Sequence, residues 1–171
     1  MLFRSQEKSY YCGPATVQQI LRNNGNQTVT QDDIAAGIGT TKYGSDLAPM
    51  PDYIRTNSVR GFVGYDIYKN LDFTSMKELI ARTVYFMSGA PIARIVFSKG
   101  GSWPYSSGGH FLNVTGYDYS STNSSNYTVK LTDPNIKNVD PSSDGTYWVY
   151  LTELHQATMD ANHKEMAGYL Y

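Results

Sequence analysis

The sequence predicts a single α+β domain, with helices gathered in its first half and antiparallel strands in its second. Three observations carry this reading. Apolar residues recur at spacings of three and four through the first half, they alternate with polar ones through the second, and no repeat or linker divides the two. At 171 residues the chain has the length of one ordinary domain and can bury a full core without staples. The whole of 1–171 is therefore read as one domain.

In chain order, Pro14 marks a helix start in Cys12-Gly13-Pro14-Ala15, and Val17, Ile20 and Leu21 give it one apolar face before Asn23-Asn24-Gly25 stops it. Thr30 can cap a second helix through Asp32, Asp33, Ile34 and Ala35, with acids in the favourable first turn and Gly37 and Gly39 at its end. A third segment, interrupted by proline, runs from Asp46 through Tyr53 and Ile54. Gly61 to Tyr68 reads as a strand, and Thr74 to Met87 as a longer helix with Met76, Leu79, Ile80, Val84 and Met87 on one side. Ala93 to Phe97 is the next strand, followed by a Gly- and Ser-rich loop, Lys99 to Gly109, that carries Trp103 and Tyr105. Strands His110 to Tyr119 and Tyr127 to Asp133 flank the polar stretch Ser120 to Asn126. Thr146 to Leu151 is a last strand, and Thr152 to Met159 a terminal helix.

Composition excludes several functions. With 14 basic and 15 acidic residues the net charge is -1, which leaves no surplus to neutralise a run of phosphates, so nucleic acid is not expected as a partner. No apolar run approaches the ~20 residues of a membrane helix. Met1-Leu2-Phe3-Arg4-Ser5 lacks the charged-then-apolar order of a signal peptide. Fifteen tyrosines, few lysines and many Asn, Ser and Thr give a surface polar without being charged. That composition suits a bacterial protein at work outside the cell, with a cytoplasmic location as the alternative, and a monomer is expected.

The single cysteine cannot form an internal disulfide, which leaves an inert buried thiol or a reactive one. Cys12 stands at the start of the first predicted helix, where the positive end of the helix dipole favours a thiolate. Folding His110 to Asp133 as a hairpin centred between Ser121 and Thr122 pairs Val114 with Val129, Leu112 with Leu131, and His110 with Asp133. One face of that hairpin shows Leu112, Val114, Val129 and Leu131, and the other Asn113, Thr115, Thr128, Lys130 and Thr132. His110 and Asp133 share the apolar face at the open end, ~5 Å apart at their β-carbons, as an imidazole and the carboxylate that orients it. A purely structural His-Asp pair would look the same. Together with Cys12 the pair supplies a nucleophile, a base and an orienter, and the side chain of Gln6 can join the Cys12 backbone N–H as an oxyanion hole.

Three blocks, Gln6 to Ala15, Gly109 to Asp118 and Leu131 to Asn135, resemble those of the bacteriocin-processing, double-glycine leader peptidases, and the nearest likeness is to their stand-alone relatives. The resemblance spans almost the whole chain in the right order. It implies a papain-like cysteine peptidase with Gln6 in the oxyanion hole, Cys12 as nucleophile, His110 as base and Asp133 as orienter. The substrate would be a peptide or protein, bound along Trp103, Gly108 and Gly109, with no metal or cofactor. Two alternatives use the same residues: transfer of the acyl group to an amine, and a peptide-binding module that has lost turnover.

Overall fold

A computed structural model describes residues 3–60, 64–87, 89–161 and 165–169. Among these residues the chain forms six α-helices and one six-stranded, fully antiparallel sheet. The helices α1 (Cys12–Asn23), α2 (Gln31–Gly37) and α3 (Met50–Asn57) come first. They are followed by β1 (Asp66–Lys69), α4 (Phe73–Met87), β2 (Ile92–Phe97), β3 (Ser107–Asp118) and β4 (Thr128–Thr132). The short α5 (Ile136–Val139), β5 (Thr146–Tyr150), α6 (Leu151–Asp160) and β6 (Glu165–Gly168) complete it. The strands lie in the order β1-β6-β2-β3-β4-β5. No helix among the described residues is long and apolar enough to cross a membrane.

Local chemistry sets these boundaries. Thr30 caps α2 by accepting from Asp33 N, while the Asp33 carboxylate accepts from Thr30 N, a reciprocal capping box. Asp72 caps α4 by accepting from Ser75 N at 2.7 Å. Pro51 falls in the first turn of α3, where its missing N–H costs nothing.

The sheet is covered on both faces, which gives the domain two cores. Met76, Leu79 and Ile80 of α4 and Leu151, Leu154 and Ala157 of α6 pack with Ala93, Ile95, Leu112, Val114, Val129, Leu131 and Val149. On the other side, Val17, Ile20 and Leu21 of α1 join Ile34, Met50, Ile54, Ile92, Phe111 and Ala167. The predicted apolar hairpin face is therefore buried, but its polar face is buried too where α1 crosses it. Asn113 there donates Nδ2 to Thr16 O at 3.0 Å and to Gln19 Oε1 at 2.8 Å, so a buried polar side chain is matched to α1 by hydrogen bonds.

Several sequence expectations are corrected here. The hairpin pairs Val114 with Leu131 and Tyr117 with Val129, a slip of two residues that grows to three past a bulge between Val114 and Gly116. The first helix starts at Cys12, two residues before Pro14, which its first turn tolerates. The strand expected from Gly61 is ordered as β1 from Asp66, and residues 61–63 lie outside the described ones. The stretch after α6 adds β6 to the sheet as its second strand, between the edge strand β1 and β2.

Candidate active site

Cys12 is the first residue of α1, half-buried at its N-terminus. No side chain caps this helix and no acid occupies its first turn, so its leading N–H groups stay available to a negative charge at the thiol. The preceding turn is clamped: Tyr11 donates its hydroxyl to Asp32 Oδ1 at 2.7 Å, and Lys8 Nζ donates to the same oxygen at 2.7 Å. Gly13 is required by its neighbours. A β-carbon there would lie 2.5 Å from Ser45 Oγ and 2.9 Å from Met50 Cε.

The N-terminal segment reaches this turn through buried amides. Gln19 Nε2 donates to Arg4 O, Gln31 Nε2 to Ser5 O, and Glu7 N to Gln31 Oε1. Gln6 N donates to Pro134 O at 2.9 Å, which ties Gln6 to the residue after Asp133. The Gln6 side chain donates through Nε2 to Ser9 O at 3.0 Å, and its second N–H is not spent in that bond.

His110 lies on β3 opposite Ile95 of β2, with its ring set edge-on to Phe97 and Tyr105 at centroid distances of 6.4 and 6.1 Å. Its Nε2 is 2.7 Å from Asp133 Oδ1. That nitrogen is committed to the carboxylate, so Nδ1 is the one left for the thiol. Asp133 follows β4 and is fully buried, at 0% exposure. Burial of a carboxylate needs donors, and four reach this one. Besides His110, Asn135 N donates to Oδ1 at 2.8 Å, and the hydroxyls of Tyr105 and Tyr147 donate to Oδ2 at 2.7 and 2.8 Å.

The electrostatics follow from this geometry. Burial pushes the Cys12 thiol up, but the adjoining His110 imidazole, helped by backbone N–H groups of Phe111 and Gly13, outweighs it and leaves the thiol below its ordinary value. Burial alone would lower His110, whereas the Asp133 carboxylate and then the Cys12 thiol raise it well above the usual histidine range. For Asp133, burial pushes up, and His110, with the Tyr105 and Asn135 donors, holds it below the carboxylate norm. Burial and the adjacent Asp133 charge raise both Tyr105 and Tyr147, so each keeps its proton and stays a donor. The arrangement favours a thiolate facing an imidazolium whose far side is neutralised by a carboxylate.

The sequence matches the Peptidase_C39 like family over residues 2–156. The chain belongs to this C39-like family of cysteine peptidases. No curated protein is similar enough to match. The α+β architecture, with the Cys12-bearing helix packed on an antiparallel sheet, is the papain-like fold of that family.

The remaining predicted residues divide. Gly109 lines a cleft of about 90 Å³ together with Cys12, His110 and Phe111, across from Tyr43, Gly44 and Ser45. A β-carbon on Gly108 or Gly109 would meet nothing within 4 Å, so the approach to His110 along this strand is open. Trp103 does not line that cleft: it is 8% exposed, stacked on Phe97 at 4.4 Å in the core behind His110. Sequence reasoning missed the grip of Tyr105 and Tyr147 on Asp133 and the presence of Arg94 in the cleft. Tyr147 alternates like any strand aromatic and gave no signal. Arg94 did give one, as the single charge in the apolar run Ile92-Ala93-Arg94-Ile95-Val96-Phe97.

Proposed function

We propose that this C39-like protein hydrolyses peptide bonds through an acyl-enzyme thioester, with Cys12 as nucleophile, His110 as general acid and base, and Asp133 as its orienter. The observation that carries the reading is the His110 ring, joined through Nε2 to a fully buried, four-donor carboxylate and raised by its neighbours on both sides. In the first half-reaction the Cys12 thiolate attacks the carbonyl carbon, and the oxyanion is met by the Cys12 N–H and the free N–H of Gln6. The C–N bond then breaks as Nδ1–H of His110 protonates the leaving amine. In the second half-reaction His110 takes a proton from water, the hydroxide attacks the thioester, and the Cys12 sulfur leaves as thiolate.

The open backbone at Gly108 and Gly109 suits an extended peptide laid against the start of β3. Trp103 would support that wall from behind. The polar, weakly charged composition supports work outside a bacterial cell as a monomer. Transfer of the acyl group to an amine uses the same residues and differs only in what attacks the thioester.

Digestion of a peptide library, with fragments read by mass spectrometry, tests the reading. Wild type should cleave, and Cys12→Ala should leave every peptide intact while melting close to wild type. Retained cleavage by Cys12→Ala would remove the thiol from the mechanism.

A further inference from the structure

The geometry points to Arg94 as the residue that selects substrate, by taking a carboxylate of the peptide in the cleft beside Cys12. This rests on the peptidase reading and adds the class of substrate to it.

Arg94 lies on β2 opposite Phe111, the residue after His110, and lines the same cleft as Cys12. Its guanidinium lies over the Phe111 ring at 5.8 Å from the centroid, which orients a planar, forked donor. Among the described residues it has no ion pair or hydrogen bond. None of the residues lining the cleft carries a carboxylate, and Asp46, one residue beyond Ser45, is not among them. The Cys12 thiolate and the His110 imidazolium offset one another, and the Asp133 carboxylate behind them is already held by four donors. The cleft lining therefore carries one guanidinium with no carboxylate partner, half-buried on a strand that is otherwise apolar.

A second cation stands at the rim. Lys42 Nζ lies 5.0 Å from the ring centre of Tyr43, a cleft-wall residue 88% exposed. A half-buried guanidinium with free donors is completed by a carboxylate bound through two parallel hydrogen bonds. A short acidic side chain or a peptide's terminal carboxylate supplies such a group.

The test uses acetylated heptapeptide amides carrying Glu, Gln or Lys in turn at each position around the cleaved bond, with a matched set ending in a free carboxylate. Wild type should show kcat/KM at least about tenfold higher for Glu than for Gln at one position, as a charge-assisted pair implies. Arg94→Gln should erase that preference and Arg94→Glu should reverse it towards Lys. A gain confined to the free-carboxylate set would place the peptide terminus, not a side chain, on Arg94. The same peptides titrated calorimetrically into Cys12→Ala, with and without Arg94→Gln, give the ranking without turnover. If the Arg94 variants rank all peptides as wild type does, the assignment is wrong while the peptidase reading stands. If wild type cleaves nothing but binding to Cys12→Ala still follows Arg94, the peptidase reading falls and the carboxylate site remains.

Discussion

Nε2 of His110 and Oδ1 of Asp133 sit 2.7 Å apart, in a place where the two side chains are 5% and 0% exposed. So little water reaches the pair that each ion's charge state depends on the other's. The chemistry of Cys12 depends on both.

The first prediction is a pH profile. With Cys12 lowered and His110 raised, the thiolate exists well below the free-cysteine value of about 8.5, so alkylation by iodoacetamide should begin in mildly acidic solution. Asp133→Asn should move the onset to higher pH, and His110→Ala further still. Stability should follow with the opposite signs of the two shifts. His110 is raised, so its contribution is complete below about pH 6.5 and is lost as pH rises through its folded value. Asp133 is lowered, so its contribution is complete above about pH 3.9 and is lost as pH falls through its folded value. An onset near the free-thiol value in all three proteins would mean that thiol and imidazole do not meet.

A second expectation concerns the two tyrosines on Oδ2. Tyr105→Phe or Tyr147→Phe leaves that oxygen one donor, and the double variant leaves it none. Each single change should slow turnover a few-fold. The double change should cost more than the two combined and lower stability by about 1–3 kcal/mol, the usual penalty for a buried acceptor left unpaired. Strictly additive rates in this cycle would show that the hydroxyls do not act through Asp133.

Gln6→Ala should lower kcat by about 10²- to 10³-fold while KM stays near wild type, as for a donor that acts only on the developing oxyanion. Steady-state kinetics separates the cases. A change in KM alone would assign Gln6 to substrate binding.

Gly13→Ala opposes two effects of similar size. Alanine within a helix is favoured over glycine by about 1 kcal/mol. Here its β-carbon would lie 2.5 Å from Ser45 Oγ and 2.8 Å from Ser45 Cβ, and overpacking typically costs about 1–3 kcal/mol. The clash should win, with a lower melting temperature and slower alkylation of the displaced Cys12. Ser45→Gly in the same chain should restore both.

The His110–Asp133 pair was legible in the sequence even though the hairpin register was not. A slip of two residues keeps every side chain on its own face, so the two groups stay close enough to bond along a diagonal. The bulge that causes the further slip has only Gly116 to announce it. Helix α2 was legible because Thr30 and Asp33 act within one turn. Strand β6 was not, because Glu165-Met166-Ala167-Gly168 has no alternation and ends in glycine, and its pairing is decided by distant strands. Tyr147 was hidden for a similar reason: what it donates to is fixed by how β5 lies beside β4.

The position of β6 has a consequence for how the seat of the Cys12 helix is assembled. Ala167 fills part of the core under α1 and pairs with Ile92, while Asp66 to Lys69 have β6 as their neighbour in the sheet. The bed on which the Cys12 helix rests is thus completed by residues more than 150 positions later in the chain. Closing so long a loop is slow compared with local helix formation. A chain without residues 165–168 would leave β1 and β2 without their shared partner and the core below α1 incomplete, so it should fail to set Cys12 in place.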